Sequence, residues 1–373
     1  MRKALINAVL FPALAVVVAL VIFYFVRRRR GRGRGRSVLP SHGGGGARAD
    51  RFQAAGASGG YAAGGEEALL RFPGGEALTV AAILEAPGEV VAKSSHSTLY
   101  RAGLSAGEAV ALLRFVRPAC AAAAEEAAAA EEAAAAARVL GAARHPNLVP
   151  IRALYIGPRG EKLFVHPFYA ASSLRRFLQE GINDSQRWEI ICKLSIGIIK
   201  GLDHLHTASH KPIIHGNLKT NNIMLDVDFQ PRISDFGLYL LLNPAAAQEM
   251  LETSAMQGYK APELIKMRDA TRESDIYSLG VIMLEMLAQK EVANDNKSPN
   301  ARDIHLPASF KDLVLERKIS EAFSSELIKQ SKNSGKEDNL NAYFELATAC
   351  CNPSPSLRPD TKKLLKRLED IAR

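Results

Sequence analysis

The chain has 373 residues, which is enough for one large domain with flanking segments, and its formal net charge at pH 7 is +9. Residues 1–36 carry nine Lys and Arg side chains and no acid, so the remaining residues are neutral overall. This distribution argues against a basic nucleic-acid-binding domain, and no nucleic-acid partner is expected.

The four cysteines are Cys120, Cys192, Cys350 and Cys351, and they lack the C-x-x-C spacing of a zinc site. Cys350 and Cys351 lie in an apolar segment that predicts a helix. Buried free thiols in a reducing cytosol are the favoured interpretation, and zinc ligation is the weaker alternative.

Residues 4–26 form an apolar run that Asn7 and Pro12 interrupt. At about 1.5 Å per residue, such a helix is long enough to cross the roughly 30 Å hydrocarbon layer of a membrane. A cleaved signal peptide is the alternative, but its apolar region would be about 7–15 residues long and would end in a small-residue cleavage site. The pattern therefore predicts a single transmembrane helix over residues 4–26.

Arginines follow this predicted helix at once. Seven of them lie between Arg27 and Arg36, whereas Arg2 and Lys3 precede the helix. The asymmetry predicts a single-pass protein of the plasma membrane with its C-terminal side in the cytoplasm. The segment from Arg27 to Arg36 is also expected to attract anionic lipid. Together with the Gly- and Ala-rich residues that follow, it forms a predicted flexible juxtamembrane linker over residues 27–68.

Residues 69–166 predict a small lobe that is rich in strands. The predicted strands of this lobe are residues 69–72, 88–102, 108–115, 145–150 and 161–165. Residues 119–138 are almost entirely Ala and Glu, a composition with near-maximal helix propensity. One helix is therefore expected to accompany the strands, although side chains this small should dock it weakly.

Residues 167–373 predict a larger, mainly helical lobe. Apolar residues recur at helical spacing over 188–206, and residues 275–287 predict a deeply buried helix. A last helix is predicted from about Asp360 to Ile371. Polar composition predicts loops over residues 290–304 and 331–338.

Two motifs lie between these helices. Residues 215–222 read H-G-N-L-K-T-N-N, and residues 235–237 read D-F-G. The catalytic loop of protein kinases reads H-R-D-L-x-x-x-N and is followed by D-F-G. Asn217 therefore takes the place of the Asp that accepts the substrate proton, so the base of a kinase site is missing.

Further motifs follow in the order and spacing of protein kinases. They are A-P-E at 261–263, D-I-Y-S-L-G at 275–280, and Arg358 before Pro359. With these motifs the chain resembles protein kinases, specifically plant leucine-rich-repeat receptor-like kinases and, among them, the inactive transmembrane kinase-like proteins. The resemblance implies an α+β, bilobal protein-kinase-like fold behind the transmembrane helix and the linker.

The resemblance also implies roles for retained residues. Asn222 and Asp235 match the metal ligands of kinases, and Lys219 matches the lysine near the transferred phosphate. These three residues would hold ATP and Mg²⁺ if a nucleotide binds.

Other matches are structural even in active kinases. Glu263 and Arg358 match an ion pair, and Asp275 matches a buried acid that holds the backbone of the catalytic loop.

The small lobe departs from the family pattern. The phosphate-loop glycines correspond to Ala92, Ser94 and Ser97, where a Cβ would keep backbone N–H groups away from phosphate. The strand lysine corresponds to Leu113. Arg114 is its neighbour, but adjacent strand residues point to opposite faces, so Arg114 could replace the lysine only through a bulge.

The regulatory helix also departs from the pattern, because the position of its glutamate corresponds to Ala136. Thr253 and Ser254 lie in the expected activation segment, where a partner could phosphorylate them or where they are ordinary loop residues. With no intact catalytic set, the sequence predicts a pseudokinase that needs no cofactor and binds ATP and Mg²⁺ weakly at most.

The predicted role is that of a scaffold or allosteric partner of an active receptor kinase at the membrane. The alternative is an active or weakly active protein serine/threonine kinase that uses substitute cations, with Asn222, Asp235 and Lys219 in its favour. A purely structural membrane adaptor without nucleotide binding is a third hypothesis.

Overall fold

The computed structural model describes residues 68–93, 97–104, 111–116, 123–157, 161–169, 173–180, 187–242, 244–264, 269–288 and 324–373. The predicted transmembrane helix at residues 4–26 and nearly all of the predicted linker lie outside these residues. Among the described helices, none combines the length and the apolar character that a membrane span requires.

The small lobe is built on an antiparallel sheet. The strands of the described residues are β1 (Leu69–Arg71), β2 (Gly88–Lys93), β3 (Ser97–Ala102), β4 (Ala111–Val116), β5 (Ala153–Ile156), β6 (Lys162–Pro167), β7 (Ile223–Leu225) and β8 (Pro231–Ile233). The first six form one sheet in the order β1-β5-β6-β4-β3-β2, while β7 and β8 form a separate hairpin. The predictions over residues 69–72, 88–102, 108–115 and 161–165 are confirmed where the structure describes these residues. The strand predicted over residues 145–150 was wrong, because these residues form a turn with one isolated bridge at Leu148, and the strand of this region lies at Ala153–Ile156. In the sheet, β4 lies between β6 and β3.

The large lobe is helical. The α-helices of the described residues are α1 (Val80–Leu84), α2 (Ala123–Ala142), α3 (Leu174–Glu180), α4 (Arg187–Thr207), α5 (Pro244–Met256), α6 (Arg272–Ala288), α7 (Ser325–Ser334), α8 (Glu337–Cys350) and α9 (Thr361–Ala372). The architecture is the expected bilobal α+β fold.

The short helix α1 covers the outer face of the sheet. Thr79 caps it, since its Oγ1 accepts a hydrogen bond from the backbone N–H of Ala82 at 3.1 Å. Ile83 is fully buried and belongs to one apolar cluster with Leu113, Leu163 and other residues of the sheet. The sequence analysis missed this helix because five residues are too few to reveal a helical period.

The inner face of the sheet joins a second and larger core. Val116 of β4 and Leu140 of α2 belong to the same cluster as Leu202 of α4 and Leu279 of α6. The helical spacing predicted for α4 is confirmed, since its apolar positions are fully or almost fully buried; these are Ile191, Leu194, Ile198, Leu202 and Leu205.

Helix α6 lies deepest in the large lobe, with every residue from Ser274 to Leu287 buried. It begins at Arg272, three residues before the predicted start. Thr271 and Ser274 account for this, because the side chain of each accepts a hydrogen bond from the backbone N–H of the other, at 3.2 and 2.9 Å. A Cβ at Gly280 would lie 2.7 Å from Cys350 and from Cys351, so the glycine permits α6 and α8 to pack closely.

The loop predicted over residues 331–338 was wrong. Helix α7 continues to Ser334 and α8 begins at Glu337, so the connection is a tight turn at Gly335, whose φ is +66°. Most residues of both helices are polar. The few buried positions, such as Leu327 and Leu340, therefore gave no clear helical period in the sequence. The terminal helix α9 agrees with its prediction and begins after Asp360.

Candidate functional site

Strand β4 pairs with β3 and β6 along its whole length without a shift of register. Its side chains therefore alternate strictly between the two faces of the sheet. Leu113 is 1% exposed and packs in the outer cluster against α1. Arg114 points to the inner face, where the lysine of a kinase would lie.

This placement corrects the sequence analysis in two respects. The residue that reaches the cleft from β4 is Arg114 rather than Leu113, and no bulge is needed. Aligned in this way, A-L-L-R at residues 111–114 occupies the place of V-A-I-K. The signal was present in the sequence, but a shift of one residue decides which face a strand side chain occupies.

Arg114 forms an ion pair with Asp235 of the D-F-G motif. Its Nη2 lies 2.6 Å from Asp235 Oδ2, and the two side chains are 17% and 7% exposed. Arg114 Nη1 also donates a hydrogen bond to Ser97 Oγ at 3.1 Å. Ser97 stands at the third glycine position of the phosphate loop. Ser97, Arg114 and Asp235 are therefore linked by direct contacts across the cleft.

The backbone holds Asp235 in place for this contact. Asp235 has a φ of +61° and Gly237 a φ of +65°, both in the left-handed region that Asp and Gly adopt most readily. The N–H of Gly237 donates to the carbonyl of His215 at 3.2 Å. A Cβ at Gly237 would lie 2.5 Å from Leu140 of α2, so the glycine also allows α2 to approach.

Helix α2 supplies no acid to the cleft at the expected position. It docks through Ala133, Ala137 and Leu140, which are buried, while Ala136 is half-buried. An alanine at 136 cannot pair with the cation on β4, which explains why Arg114 is free to take Asp235 as its partner.

The catalytic loop keeps its supporting contacts. The carboxylate of Asp275 accepts hydrogen bonds from the backbone N–H groups of His215, at 2.7 Å, and Gly216, at 2.9 Å. His206 Nε2 lies 2.9 Å from the same carboxylate. Asp275 therefore holds the catalytic-loop backbone as the resemblance implied.

Asn217, in the position of the base, is 6% exposed. Its carbonyl accepts a hydrogen bond from Asn222 Nδ2 at 2.9 Å, which orders the loop. Its side-chain Oδ1 is buried without a hydrogen-bond partner in the described part of the chain. An amide can orient a hydroxyl group, but it cannot take its proton as a carboxylate would.

Lys219 faces the activation segment. Its Nζ donates to Gln257 Oε1 at 3.3 Å. Burial lowers the pKa of Lys219 to about 8, an effect that nearby Asp235 opposes and that Arg114 and Arg175 reinforce. The ammonium group is thus retained close to Asp235 but is poorly solvated.

The activation segment contains helix α5, where the sequence analysis considered loop residues. Thr253 is half-buried and its Oγ1 donates to the carbonyl of Glu249 at 2.9 Å. Ser254 is 4% exposed. Of the two candidate phosphorylation sites, Ser254 is therefore closed to a partner enzyme in this conformation.

The expected structural ion pair is present. Arg358 binds Glu263 in a bidentate manner, with Nη1–Oε1 at 2.6 Å and Nη2–Oε2 at 2.7 Å. Its Nε also donates to the carbonyl of Asn352 at 2.8 Å. These contacts tie the A-P-E segment to the end of α8, so the scaffold of the large lobe is intact.

Side chains also border the part of the cleft nearest the hinge. Leu112 lies on the same face of β4 as Arg114 and is 6% exposed. Arg101, its cross-strand partner on β3, stacks on the ring of Phe168 with 5.1 Å between the guanidinium carbon and the ring centroid. Side chains therefore join the sheet to the hinge across the mouth of the cleft.

A small cavity lies behind Asp235. Its volume is about 20 Å³, room for about one water molecule. Its lining includes Arg114, Phe164, His166 and Phe236. Burial lowers the pKa of His166 to about 4, so this imidazole is neutral at physiological pH.

The residues present do not fit a magnesium–nucleotide complex. Asp235 would have to coordinate the metal, but its carboxylate is paired with Arg114. Mg²⁺ takes carboxylates together with phosphate oxygens, and a guanidinium at 2.6 Å competes with it for the same oxygen. Of the residues that the resemblance implied as ligands, Asp235 is engaged by Arg114 and acts on the pKa of Lys219, and the metal site at Asn222 and Asp235 stays a prediction.

Comparison with known proteins agrees with this geometry. The family model of the protein kinase domain matches residues 99–368. The kinase-like protein TMKL1 of Arabidopsis thaliana is 37% identical over 309 residues, which are 82% of this chain and 44% of that protein. An inactive leucine-rich repeat receptor-like serine/threonine-protein kinase of the same plant is 34% identical over 240 residues, or 63% of this chain and 37% of that protein.

A solved structure is also similar. The pseudokinase domain of BIR2, an immune regulator of the RLK/Pelle family, matches with a TM-score of 0.59 and 24% identity, over 76% of this chain and 80% of that chain. This likeness supports the fold. The chain spans less than half the length of the curated relatives named above. The chain belongs to the protein kinase domain family, and the relatives it resembles include a kinase-like protein and an inactive leucine-rich repeat receptor-like kinase of Arabidopsis thaliana.

Proposed function

We propose that this chain is a membrane-anchored receptor-like pseudokinase that signals by association and does not transfer phosphate. The ion pair between Arg114 and Asp235 carries the proposal, because it engages the carboxylate that a kinase needs for its metal ion. Relatives that are named inactive receptor kinases support the same conclusion.

The loss of the base points in the same direction. A general base typically contributes about 10²- to 10⁴-fold to a rate, and Asn217 cannot replace it. The engaged Asp235 and the missing glycines remove metal and phosphate positioning as well. Because these groups serve one reaction, their losses do not simply multiply.

An active or weakly active serine/threonine kinase is the second candidate. The observation in its favour is that β4 does bring a cation, Arg114, to the cleft, where a substitute for the lysine is required. Lys219 and Asn222 are also retained. Against it, Arg114 binds the metal-ligating Asp235, whereas the lysine of an active kinase pairs with phosphates and with the helix glutamate.

The membrane location rests on the sequence and on the relatives. The apolar run at residues 4–26, followed by the arginines between Arg27 and Arg36, would anchor the chain in the plasma membrane with the kinase-like domain in the cytoplasm. Contacts of these arginines with anionic lipid would hold the domain near the membrane surface.

The partner proposed for the domain is an active receptor kinase in the same membrane. A fold that keeps its scaffold, here Asp275 and the pair of Glu263 with Arg358, can present a kinase-like surface without catalysis. The domain would then act as a scaffold or as an allosteric partner, and no cofactor is required for that role. Co-purification from membranes, followed by identification of the bound kinases, tests this part.

Nucleotide binding is tested by the thermal unfolding of the purified full chain in detergent. A ligand that binds the folded state stabilises it by RT ln(1 + [L]/Kd), so the unfolding temperature rises with the logarithm of ligand concentration once that concentration exceeds Kd. We expect no shift with Mg²⁺ and ATP at 1 mM, a concentration on the order of the upper KM range of enzymes. A rise that grows with ATP concentration and that Asp235→Ala abolishes would favour the second candidate.

A further inference from the structure

The terminal helix α9 and the residue after it carry an excess of positive charge. Residues 362–373 contain two acids, Glu369 and Asp370, whereas their five cations are Lys362, Lys363, Lys366, Arg367 and Arg373. All five cations are exposed. Because residues 37–373 are neutral overall, this excess is a local feature of the helix.

The exposed face of α9 lies opposite a buried stripe. Leu364, Leu368 and Ile371 are buried in the core of the large lobe. At about 100° per residue, Lys362 and Lys366 lie on the opposite side of the helix and one turn apart. The cations therefore form a ridge that projects into solvent.

The acids near this ridge are already paired with other cations. Within the described part of the chain, Lys362, Lys366 and Arg367 have no such pair, so their charge is available to an anionic partner. The pairs that engage the acids are Asp360 with Lys363 at 3.2 Å, Glu369 with Lys200 of α4 at 3.8 Å, and Asp370 with Arg373 at 3.9 Å.

The positive charge is concentrated at the start of the helix. The start of α8 lies beside the end of α9, since Asn339 Nδ2 donates to the carbonyl of Ile371 at 2.9 Å. Glu337 and Asp338 are exposed at that end and offset the positive charge there. The excess therefore belongs to the first two turns of α9.

An exposed apolar side chain lies just before these turns. Leu357 ends the short 3₁₀ segment Pro355–Leu357 and is 68% exposed. The next residue, Arg358, is buried and paired with Glu263, so the segment is held in place. A large apolar side chain beside lysines is typical of surfaces that bind the interface of an anionic membrane.

We propose that the α9 basic surface, formed by Leu357, Lys362, Lys363, Lys366 and Arg367, binds the anionic cytoplasmic leaflet of the membrane. The inference rests on the membrane anchorage in the proposed function. An anchored domain meets the bilayer at a high effective concentration, so a contact that is weak by itself becomes populated. Each cation near such a leaflet shifts the equilibrium roughly fivefold toward the bound state.

The shape of the α9 basic surface favours a bilayer over a protein partner. The outside of a helix is convex, whereas the core of a protein interface requires a complementary shape. A fluid bilayer adapts to such a ridge, and the boundary between headgroups and acyl chains takes up an apolar side chain such as Leu357.

The test compares the reactivity of lysines in nanodiscs. The full chain is inserted into discs of phosphatidylcholine alone or with about one third phosphatidylserine, and a water-soluble reagent acetylates the exposed amines. Mass spectrometry then gives the labelling rate of each lysine. We expect Lys362 and Lys366 to react about fivefold more slowly in the anionic discs, and about 0.5 M NaCl to restore their rates. Lys93 of β2 is also exposed and should react equally in both discs.

Two variants separate this contact from a general approach of the domain to the membrane. Leu357→Ser and Arg367→Gln should each reduce the protection of Lys362 and Lys366 about twofold or more. Both side chains are exposed, so neither change should alter the unfolding temperature in detergent. Val227→Ser is the matched control, because it removes a 77% exposed apolar side chain between β7 and β8 and should leave the protection unchanged.

Equal labelling of Lys362 and Lys366 in the two discs overturns the proposal, as does protection that both variants leave unchanged. Polyglutamate and polyuridylate, each added to neutral discs, test other anionic partners. Protection by either polymer without protection in anionic discs assigns the surface to that class and overturns lipid binding.

Failure of the proposed anchorage would appear in a separate measurement, as release of the chain from membranes by alkaline carbonate. A chain released in this way is mixed with the same discs instead of being inserted. Slower labelling in anionic discs then still supports the α9 basic surface, and equal labelling still overturns it.

Discussion

At the scale of single residues, the partner of Asp235 departs from the kinase pattern. Asp235 is paired with Arg114, whereas in an active kinase this Asp binds the metal ion. Arg114 and Asp235 are mostly buried, so removal of either leaves the other charge without compensation. The pair then links the sheet of the small lobe to the catalytic region of the large lobe by direct contact. Its energetic coupling is therefore measurable in the stability of the whole domain.

The first prediction is a double-mutant cycle on this pair. We expect Arg114→Met and Asp235→Asn each to lower the free energy of unfolding by about 1–3 kcal/mol, less than a fully buried pair because Arg114 is partly exposed. The double variant should lose clearly less than the sum, with a coupling of about 1 kcal/mol or more. Denaturant unfolding provides the values, and Lys366→Met serves as a surface control. Strict additivity of the two single changes would mean that the ion pair does not form.

The second prediction tests the register of β4. Leu113→Lys should destabilise the domain by more than about 3 kcal/mol, because it buries an unpaired ammonium among Ile83, Leu163 and other apolar side chains. Arg114→Lys should keep the fold with a loss of at most about 1 kcal/mol, since a cation remains beside Asp235. Circular dichroism during chemical unfolding compares the two. If Leu113→Lys is the better tolerated of the pair, the strand has the register that the sequence analysis assumed.

Part of the site was predictable from residue identity alone. Asn217, Lys219, Asn222 and Asp235 lie in motifs whose spacing is fixed by contiguous sequence, so their proximity follows from the motif. Arg114 was assigned to the wrong face because the sequence around it, L-L-R-F-V, is apolar on both faces and gives no alternation. The contact of Arg114 with Ser97 and Asp235 joins three distant segments, which no local pattern reports.

At the scale of elements, long periodic helices were predicted well and short or polar ones were not. Helices α4, α6 and α9 carry apolar stripes that face a core, and their prediction was confirmed within a few residues. Helices α1 and α7 present few buried side chains, and their caps at Thr79 and Ser324 were the stronger signals. Helix α9 shows what such a cap contributes.

The third prediction concerns Asp360, the cap of α9, whose Oδ1 accepts a hydrogen bond from the backbone N–H of Lys363 at 2.8 Å. This hydrogen bond is the main reason that the pKa of Asp360 lies below its usual range. Asp360→Ala should lower the free energy of unfolding by about 1 kcal/mol at neutral pH.

The pH dependence follows from the direction of this shift. A carboxyl group with a lowered pKa in the folded state stabilises the fold above its unfolded pKa, about 3.9, and loses that contribution as the pH falls through the folded value. The difference between Asp360→Ala and the unmodified chain should therefore be constant above about pH 5 and shrink below pH 4. Denaturant unfolding at several pH values measures it. A difference that stays the same down to pH 2 would show that the carboxylate does not cap the helix.

At the scale of the whole molecule, the structure separates the scaffold of a kinase from its chemistry. The contacts that support the fold are kept, among them Asp275 with the catalytic loop and Arg358 with Glu263. The groups that would act on substrate are changed. Asn217 stands in the position of the base, and Asp235 is paired with Arg114. A chain with these properties can retain a kinase-like surface for a partner while losing turnover.

Phosphate transfer by the purified full chain tests this account most directly. The chain, in detergent and free of other kinases, is incubated with radiolabelled ATP, Mg²⁺ and a generic protein substrate, beside Asp235→Ala as the matched control. We predict that the unmodified chain labels neither itself nor the substrate above the level of Asp235→Ala. Labelling that exceeds this control reproducibly and scales with the amount of chain would contradict the account.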